Sequence, residues 1–229
     1  MKGNFHGCGG RENFSVCGVK VHCLPAGPIQ TNAYLLTDKA RGEAVLVDAP
    51  EGIWGIVEPI LGREGSRLNL LLLTHGHWDH TQGAAEVVRK SGARVLAHVA
   101  DRPLIETPEV MRSRLLPGIV LEPVKVDQWL SDGEVIDVLG EKVSVGHVPG
   151  HCPGSLSFYF PASGAVFAGD ALFKDAIGRT DLPGGSFEEL ENSIRTRLYT
   201  LPDATTVFPG HGEPTTVGDE RAGNPFVAG

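Results

Sequence analysis

The sequence predicts an α+β fold of the αββα sandwich type, with two mixed sheets packed together and helices outside. Three observations point there. Short apolar and β-branched segments recur in both halves of the chain, and stretches with helical spacing interrupt them in both halves. The run Leu70-Leu71-Leu72-Leu73 is apolar without alternation and bounded by polar residues, as in a strand buried on both faces.

Residues 1–18 are Gly-rich and polar with no clear period, and are expected to form a loose extension. A single domain is expected over residues 19–229. It opens with short strands near 19–23, 33–36 and 43–47, separated by the turn signals Pro25-Ala26-Gly27-Pro28 and Arg41-Gly42. Ile53, Ile56, Val57, Ile60 and Leu61 recur at helical spacing, so a helix covers 54–61 before the strand at 70–73. Residues 84–90 read as a helix stopped at Gly92, and 94–97 as a strand. Residues 101–116 read as helix and loop, broken at Pro103, Pro108 and Pro117. The second half repeats the theme with strands near 135–138, 143–147, 155–160 and 165–168. A helix follows, marked by the capping box Ser186 and Glu189 and continued by Leu190, Ile194 and Leu198. A last strand at 205–208 ends at Pro209-Gly210-His211.

Composition narrows the function. With 41% apolar and 21% charged residues the chain is an ordinary globular protein, not a disordered one. The formal charge of −8, without a Lys/Arg cluster, leaves no nucleic-acid footprint. No apolar run is long enough to span a bilayer, and Met1-Lys2-Gly3-Asn4-Phe5-His6-Gly7 lacks the apolar core of a signal peptide. A cytoplasmic protein acting on a small molecule is expected, with no membrane partner; the oligomeric state is left open. Cys8, Cys17, Cys23 and Cys152 match no zinc-ribbon spacing, so thiols are expected.

The chemistry lies in Thr74-His75-Gly76-His77-Trp78-Asp79-His80. In an extended chain, residues i and i+2 point to one side, so His75 and His77, just past the strand, can reach one ion. On a helix the same pair would diverge by about 200°. Gly76 permits close approach of the backbone. Asp79 and His80 come as the chain turns into the next helix and can aim at a second point, compatible with ions about 3.5–4 Å apart. A chance match to this pattern is on the order of one in a thousand, so the segment reads as a site. His151, Asp170 and His211 each lie in a Gly- or Pro-bounded loop just past a predicted strand. Five His and two Asp suit two divalent ions: zinc, with iron or manganese as alternatives. His6, His22 and His98 read as ordinary histidines. Asp48, at the end of the strand at 43–47, is either a turn residue or a partner that orients a ligand His.

These residues resemble the metallo-β-lactamase superfamily, marked by T-H-x-H-x-D-H and later His, Asp and His ligands, over residues 19–226. Trp78, Gly169-Asp170-Ala171-Leu172-Phe173 and Pro209-Gly210-His211-Gly212 resemble its glyoxalase II (hydroxyacylglutathione hydrolase) branch, and the chain's ending resembles the short, single-domain bacterial members. The resemblance implies that His75, His77 and His151 hold one metal, that Asp79, His80 and His211 hold the other, and that Asp170 bridges them. It implies cleavage of a hydroxyacylglutathione-type thioester by a metal-bound hydroxide, with Asp79 orienting the hydroxide. Arg179 falls where glyoxalase II places a glutathione-binding Lys; it either meets a substrate carboxylate or pairs with Asp181. Gly178-Arg179-Thr180-Asp181 also resembles the persulfide dioxygenase branch, which uses one iron; Trp78 and the compact His211 loop weigh against it. Another ester or lactone hydrolase of the superfamily is the third possibility.

Overall fold

The computed structural model describes residues 13–16 and 18–229. The first half contains β1 (Asn13–Val16), β2 (Val19–Ala26), β3 (Thr31–Asp38), β4 (Glu43–Val47), α1 (Ile53–Glu64) and β5 (Arg67–Leu72). Then come α2 (Trp78–Thr81), α3 (Ala84–Ser91), β6 (Arg94–His98), α4 (Arg102–Glu106) and β7 (Gln128–Leu130). The second half contains β8 (Val135–Val138), β9 (Glu141–His147), β10 (Leu156–Phe160), β11 (Ala165–Gly169), β12 (Leu172–Phe173) and β13 (Ala176–Ile177). It closes with α5 (Phe187–Ser193), β14 (Thr206–Pro209), β15 (Thr215–Thr216) and α6 (Val217–Gly223).

Among the described residues, β1 to β7 form a seven-stranded sheet in chain order, and a six-stranded sheet runs β15-β14-β11-β10-β9-β8. Both are mixed: β4 to β7 are mutually parallel while β1 to β4 are antiparallel, and β11 pairs parallel with β14 inside an otherwise antiparallel sheet. Period-two alternation sorts the side chains into layers. Tyr34, Leu36, Val45, Val47 and Leu72 face Val145, Phe158, Phe167 and Phe208 between the sheets. Leu35, Leu46 and Leu71, one residue out of step, pack instead with Ile53, Val57 and Val87 of the outer helices. On the far face Val166, Ala168 and Val207 meet Leu190, Ile194 and Leu198. The result is the expected αββα sandwich, and the leucine run at 70–73 is covered on both faces as its composition requires.

Two expectations need correction. The extension expected over residues 1–18 is in part a strand, because Asn13-Phe14-Ser15-Val16 alternates and adds antiparallel to the edge of β2. The turn expected at Pro25 begins only at Gly27, since β2 pairs with β3 through Pro25 and Ala26. Residues 1–12 and Cys17, with Cys8 and His6, lie outside the described residues. Among the described residues no helix is long and apolar enough to cross a membrane.

Candidate metal centre

The site lies on the edge where parallel strands end. Past β5 the chain bends at Thr74, is extended at His77 (φ −63°, ψ 148°) and then makes the single turn α2. His75 and His77 therefore leave the strand, and Asp79 and His80 ride on the turn, as the spacing requires. The loops after β9, β11 and β14 bring in His151, Asp170 and His211. His75, His77 and His151 place ligand atoms within 4.8 Å of one another, as do His75, His80 and Asp170, and Asp79, His80 and His211. All seven expected ligand residues thus converge. His80 Nε2 lies 3.3 Å from both Asp79 Oδ2 and Asp170 Oδ1, and His211 Nε2 lies 3.2 Å from Asp79 Oδ2. His77 Nδ1 and His151 Nε2 approach to 2.9 Å.

Hydrogen bonds fix which ring nitrogens are bare. Asp48 Oδ2 accepts from His80 Nδ1 at 2.7 Å and from the Thr74 hydroxyl at 2.7 Å, and Oδ1 accepts from the Thr74 amide at 2.8 Å. Thr74 has spent its only O–H on Asp48, so at 3.1 Å it can only accept from His75 Nδ1. His151 Nδ1 donates to the Arg179 carbonyl at 2.8 Å. His75, His80 and His151 are thereby held with Nδ1 protonated, and a neutral ring then presents a bare Nε2. The Nε2 atoms of His75 and His80 are buried without a hydrogen-bond partner, as is Asp170 Oδ1. Of the two roles open to Asp48, it plays the orienting one.

Burial and charge act in opposition here. Burial first, and the neighbouring histidines second, hold His75 well below the ordinary imidazole range and His77 down to about 4. Burial alone would lower His80 too, but Asp79, Asp170 and Asp48 outweigh it and raise His80 well above that range. Burial would raise Asp79, yet the His80 charge and hydrogen bonds from His211 and Thr31 bring it below the ordinary carboxylate range. Asp170 is lowered in the same way, against its burial, chiefly by His80. The cluster is sealed at His75 and His80 but open at His211, whose side chain is 29% exposed. The Phe173 ring lies beside this open side, 6.2 Å from the His211 ring.

Arg179 is divided in its contacts. Its carbonyl holds His151, while its exposed side chain forms a bidentate pair with Asp181 at 2.7 Å on each arm. His22 and His98 stay outside the cluster: His22 Nε2 contacts Thr37 Oγ1 at 3.3 Å, and His98 stacks on His147 at 4.1 Å.

Sequence reasoning missed several residues that position the ligands. Thr31 donates to Asp79 Oδ2 at 2.8 Å. Asn32 Nδ2 donates to the carbonyls of Pro209 and Gly212, and the Tyr34 hydroxyl donates to Pro209, so β3 fastens the His211 loop. Buried Asp101 accepts from the amides of Gly76 and Gly154 and from the Cys152 thiol. Burial pushes the Asp101 carboxyl and the Cys152 thiol above their ordinary ranges. The sequence signal for Asp101 is weak: it is an acid three residues past β6 and directly before α4.

Residues 26–211 match the family model described as the metallo-beta-lactamase superfamily. The chain belongs to that superfamily. Among its members, the hydroxyacylglutathione hydrolase GloC of Haemophilus influenzae is 35% identical over 215 residues, spanning 91% of this chain and 98% of that protein. The crystal structure of the B3 metallo-beta-lactamase BLEG-1 is 37% identical, covers 92% of this chain and 100% of its own, and superposes with a TM-score of 0.84. The protein TTHA1623 in a di-iron-bound form is 37% identical, with coverage of 90% and 99% and a TM-score of 0.78. Superfamily membership makes the chain a metallo-hydrolase by family, and its His/Asp cluster is a donor set suited to divalent metal.

Proposed function

We propose that the protein is a metal-dependent hydrolase that cleaves a hydroxyacylglutathione-type thioester at a two-metal centre. The observation that carries this reading is the convergence of His and Asp ligand atoms into three overlapping groups, around a neutral His75 ring whose buried Nε2 has no hydrogen-bond partner. An unsatisfied buried acceptor costs about 1–3 kcal/mol, and a cation removes that cost. The residues therefore fit the ions: His75, His77 and His151 would hold one, Asp79, His80 and His211 the other, with Asp170 between them. Zinc suits these nitrogen and oxygen donors; iron and manganese suit them too, and the di-iron relative supports the iron option. When bound, the ions supply Lewis acidity and a water acidic enough to ionise near neutral pH.

The chain's own groups do the rest. Asp79, anchored by Thr31, orients the attacking water. A thiol pKa near about 8.5 makes the departing thiolate stable without a proton, which explains why a dedicated acid is not required. Arg179 is proposed to exchange Asp181 for a substrate carboxylate; an exposed pair is worth about 1 kcal/mol or less, so the exchange is cheap. The likeness to GloC over nearly the whole of both chains supports the thioester class.

Metal analysis of the purified protein, run beside hydrolysis of a hydroxyacylglutathione and of a β-lactam and oxygen uptake with glutathione persulfide, tests the reading. Two equivalents of metal and thioester cleavage without oxygen are expected. One iron with oxygen uptake would replace it with a persulfide dioxygenase, and preferential β-lactam cleavage with a lactamase. Asp170→Ala should lose metal and activity together; unchanged metal content would remove Asp170 from the bridge.

A further inference from the structure

We propose that Asp101 is a positioning residue that locks the loops carrying His75, His77 and His151 into a single metal-binding unit. The inference rests on the reading that these three histidines share an ion. Asp101 is fully buried between β6 and α4, and its carboxylate is spent on two loops distant in sequence. Oδ2 accepts from the Gly76 amide at 2.7 Å, and Oδ1 accepts from the Gly154 amide at 2.6 Å. The Cys152 thiol lies 3.2 Å from both oxygens. Gly76 sits between His75 and His77, and Cys152 follows His151, so a shift at either bond moves a ligand.

Packing leaves these loops little room to seat themselves otherwise. A Cβ on Gly154 would stand 2.4 Å from Asp101 Cγ, and one on Gly76 would stand 2.7 Å from Leu104 Cβ, so both backbones are pressed against this element. Among the described residues no Lys or Arg forms an ion pair with Asp101. A buried carboxylate without a cation is costly, and two N–H bonds are what compensate it. What that cost secures is registry. The loops lie 53 and 25 residues away along the chain, yet His77 Nδ1 and His151 Nε2 meet at 2.9 Å. The second group of ligands is tied differently, through Asp48 to His80 and Thr31 to Asp79. Loss of the clamp should therefore weaken one site and spare the other.

Asp101→Asn keeps the shape but turns an NH2 toward a backbone N–H, so one of the two bonds is lost. Gly154→Ala keeps the carboxylate and displaces the loop, and serves if the first variant does not fold. Stepwise zinc competition with a chromophoric chelator reads each metal step separately. The expected result is a weakening of about 10–100-fold in one step, within the range for partners that orient ligands, with the other changed less than about threefold. Equal weakening of both steps, or none in either variant, overturns the proposal. The wild-type titration judges the two-metal reading on its own: a single step there refutes two ions, and that step's response to the substitutions still decides the role of Asp101. Thermal unfolding of the metal-depleted proteins separates the two effects, since a merely structural role lowers stability without selecting between the steps.

Discussion

Asp48 Oδ2 lies 2.7 Å from His80 Nδ1, with both side chains buried, and that contact decides which nitrogen His80 turns toward the metal pocket. A carboxylate can only accept, so Nδ1 must carry the proton. Asp48→Asn replaces an acceptor with an amide that must present NH2 to one of its donors. Asp48 has φ +59°, a conformation Asn also tolerates, so the backbone is not a confounding cost. Metal affinity should fall about 10–100-fold. Stability should fall by about 1–3 kcal/mol from the buried donor left unpaired. Metal content after dialysis and thermal unfolding measure both; a variant that retains metal as tightly as the wild type contradicts the orienting role.

The metal-free protein should lose stability as pH falls from 6.5 to 4. His77 is lowered to about 4 in the folded state, by burial first and by His151 second, and His75 is held well below the ordinary imidazole range, by burial first and by His80 second. Between pH 4 and 6.5 the unfolded chain binds the proton that folded His77 refuses, so stability rises with pH across that window. The His77 contribution is on the order of 3 kcal/mol. His80 has the opposite sign: its raised folded value adds stability that is complete below the unfolded value of 6.5 and is lost as pH rises through the folded one. Urea unfolding of chelator-treated protein should therefore show an acid-side slope that His77→Gln reduces. A flat profile from pH 4 to 6.5 would sink the claim that these rings are folded in their neutral form.

Much of this architecture is legible in the amino-acid sequence. The leucine run at 70–73 and the i, i+2 pair His75 and His77 specify a strand that ends at a site, and α2 turns Asp79 and His80 as the spacing demands. The layers follow from alternation such as Tyr34, Leu35, Leu36, which splits between the inner and outer cores. What is not legible acts over distance. Thr31 reaches Asp79 across 48 residues, and Asn32 reaches Pro209 across 177; neither has a local pattern. Asp101 stands before Arg102-Pro103, where an acid reads as the start of a helix, so an ordinary explanation masks its hydrogen bonds to Gly76 and Gly154. The strand β7 spans three residues, too few to show a period.

Two neighbouring positions in the loop after β13 should behave in opposite ways. A Cβ on Gly178 would lie 1.9 Å from the Asp170 carbonyl oxygen and 3.0 Å from His151 Nδ1. Gly178→Ala must therefore push apart the backbone of Asp170, proposed to lie between the two ions, and a ring nitrogen of His151, and should lower both metal content and activity at least about tenfold. Arg179→Ala removes only an exposed ion pair, because the group that holds His151 is the Arg179 carbonyl, which alanine keeps. Its stability should change by less than about 1 kcal/mol, with metal content unchanged. If the Arg179 side chain meets a substrate carboxylate, the loss falls on KM while kcat is preserved. Metal analysis and steady-state kinetics on the two variants check this contrast: metal loss in Arg179→Ala, or full metal in Gly178→Ala, shows that the loop supports the centre through side chains and not through its closely packed backbone.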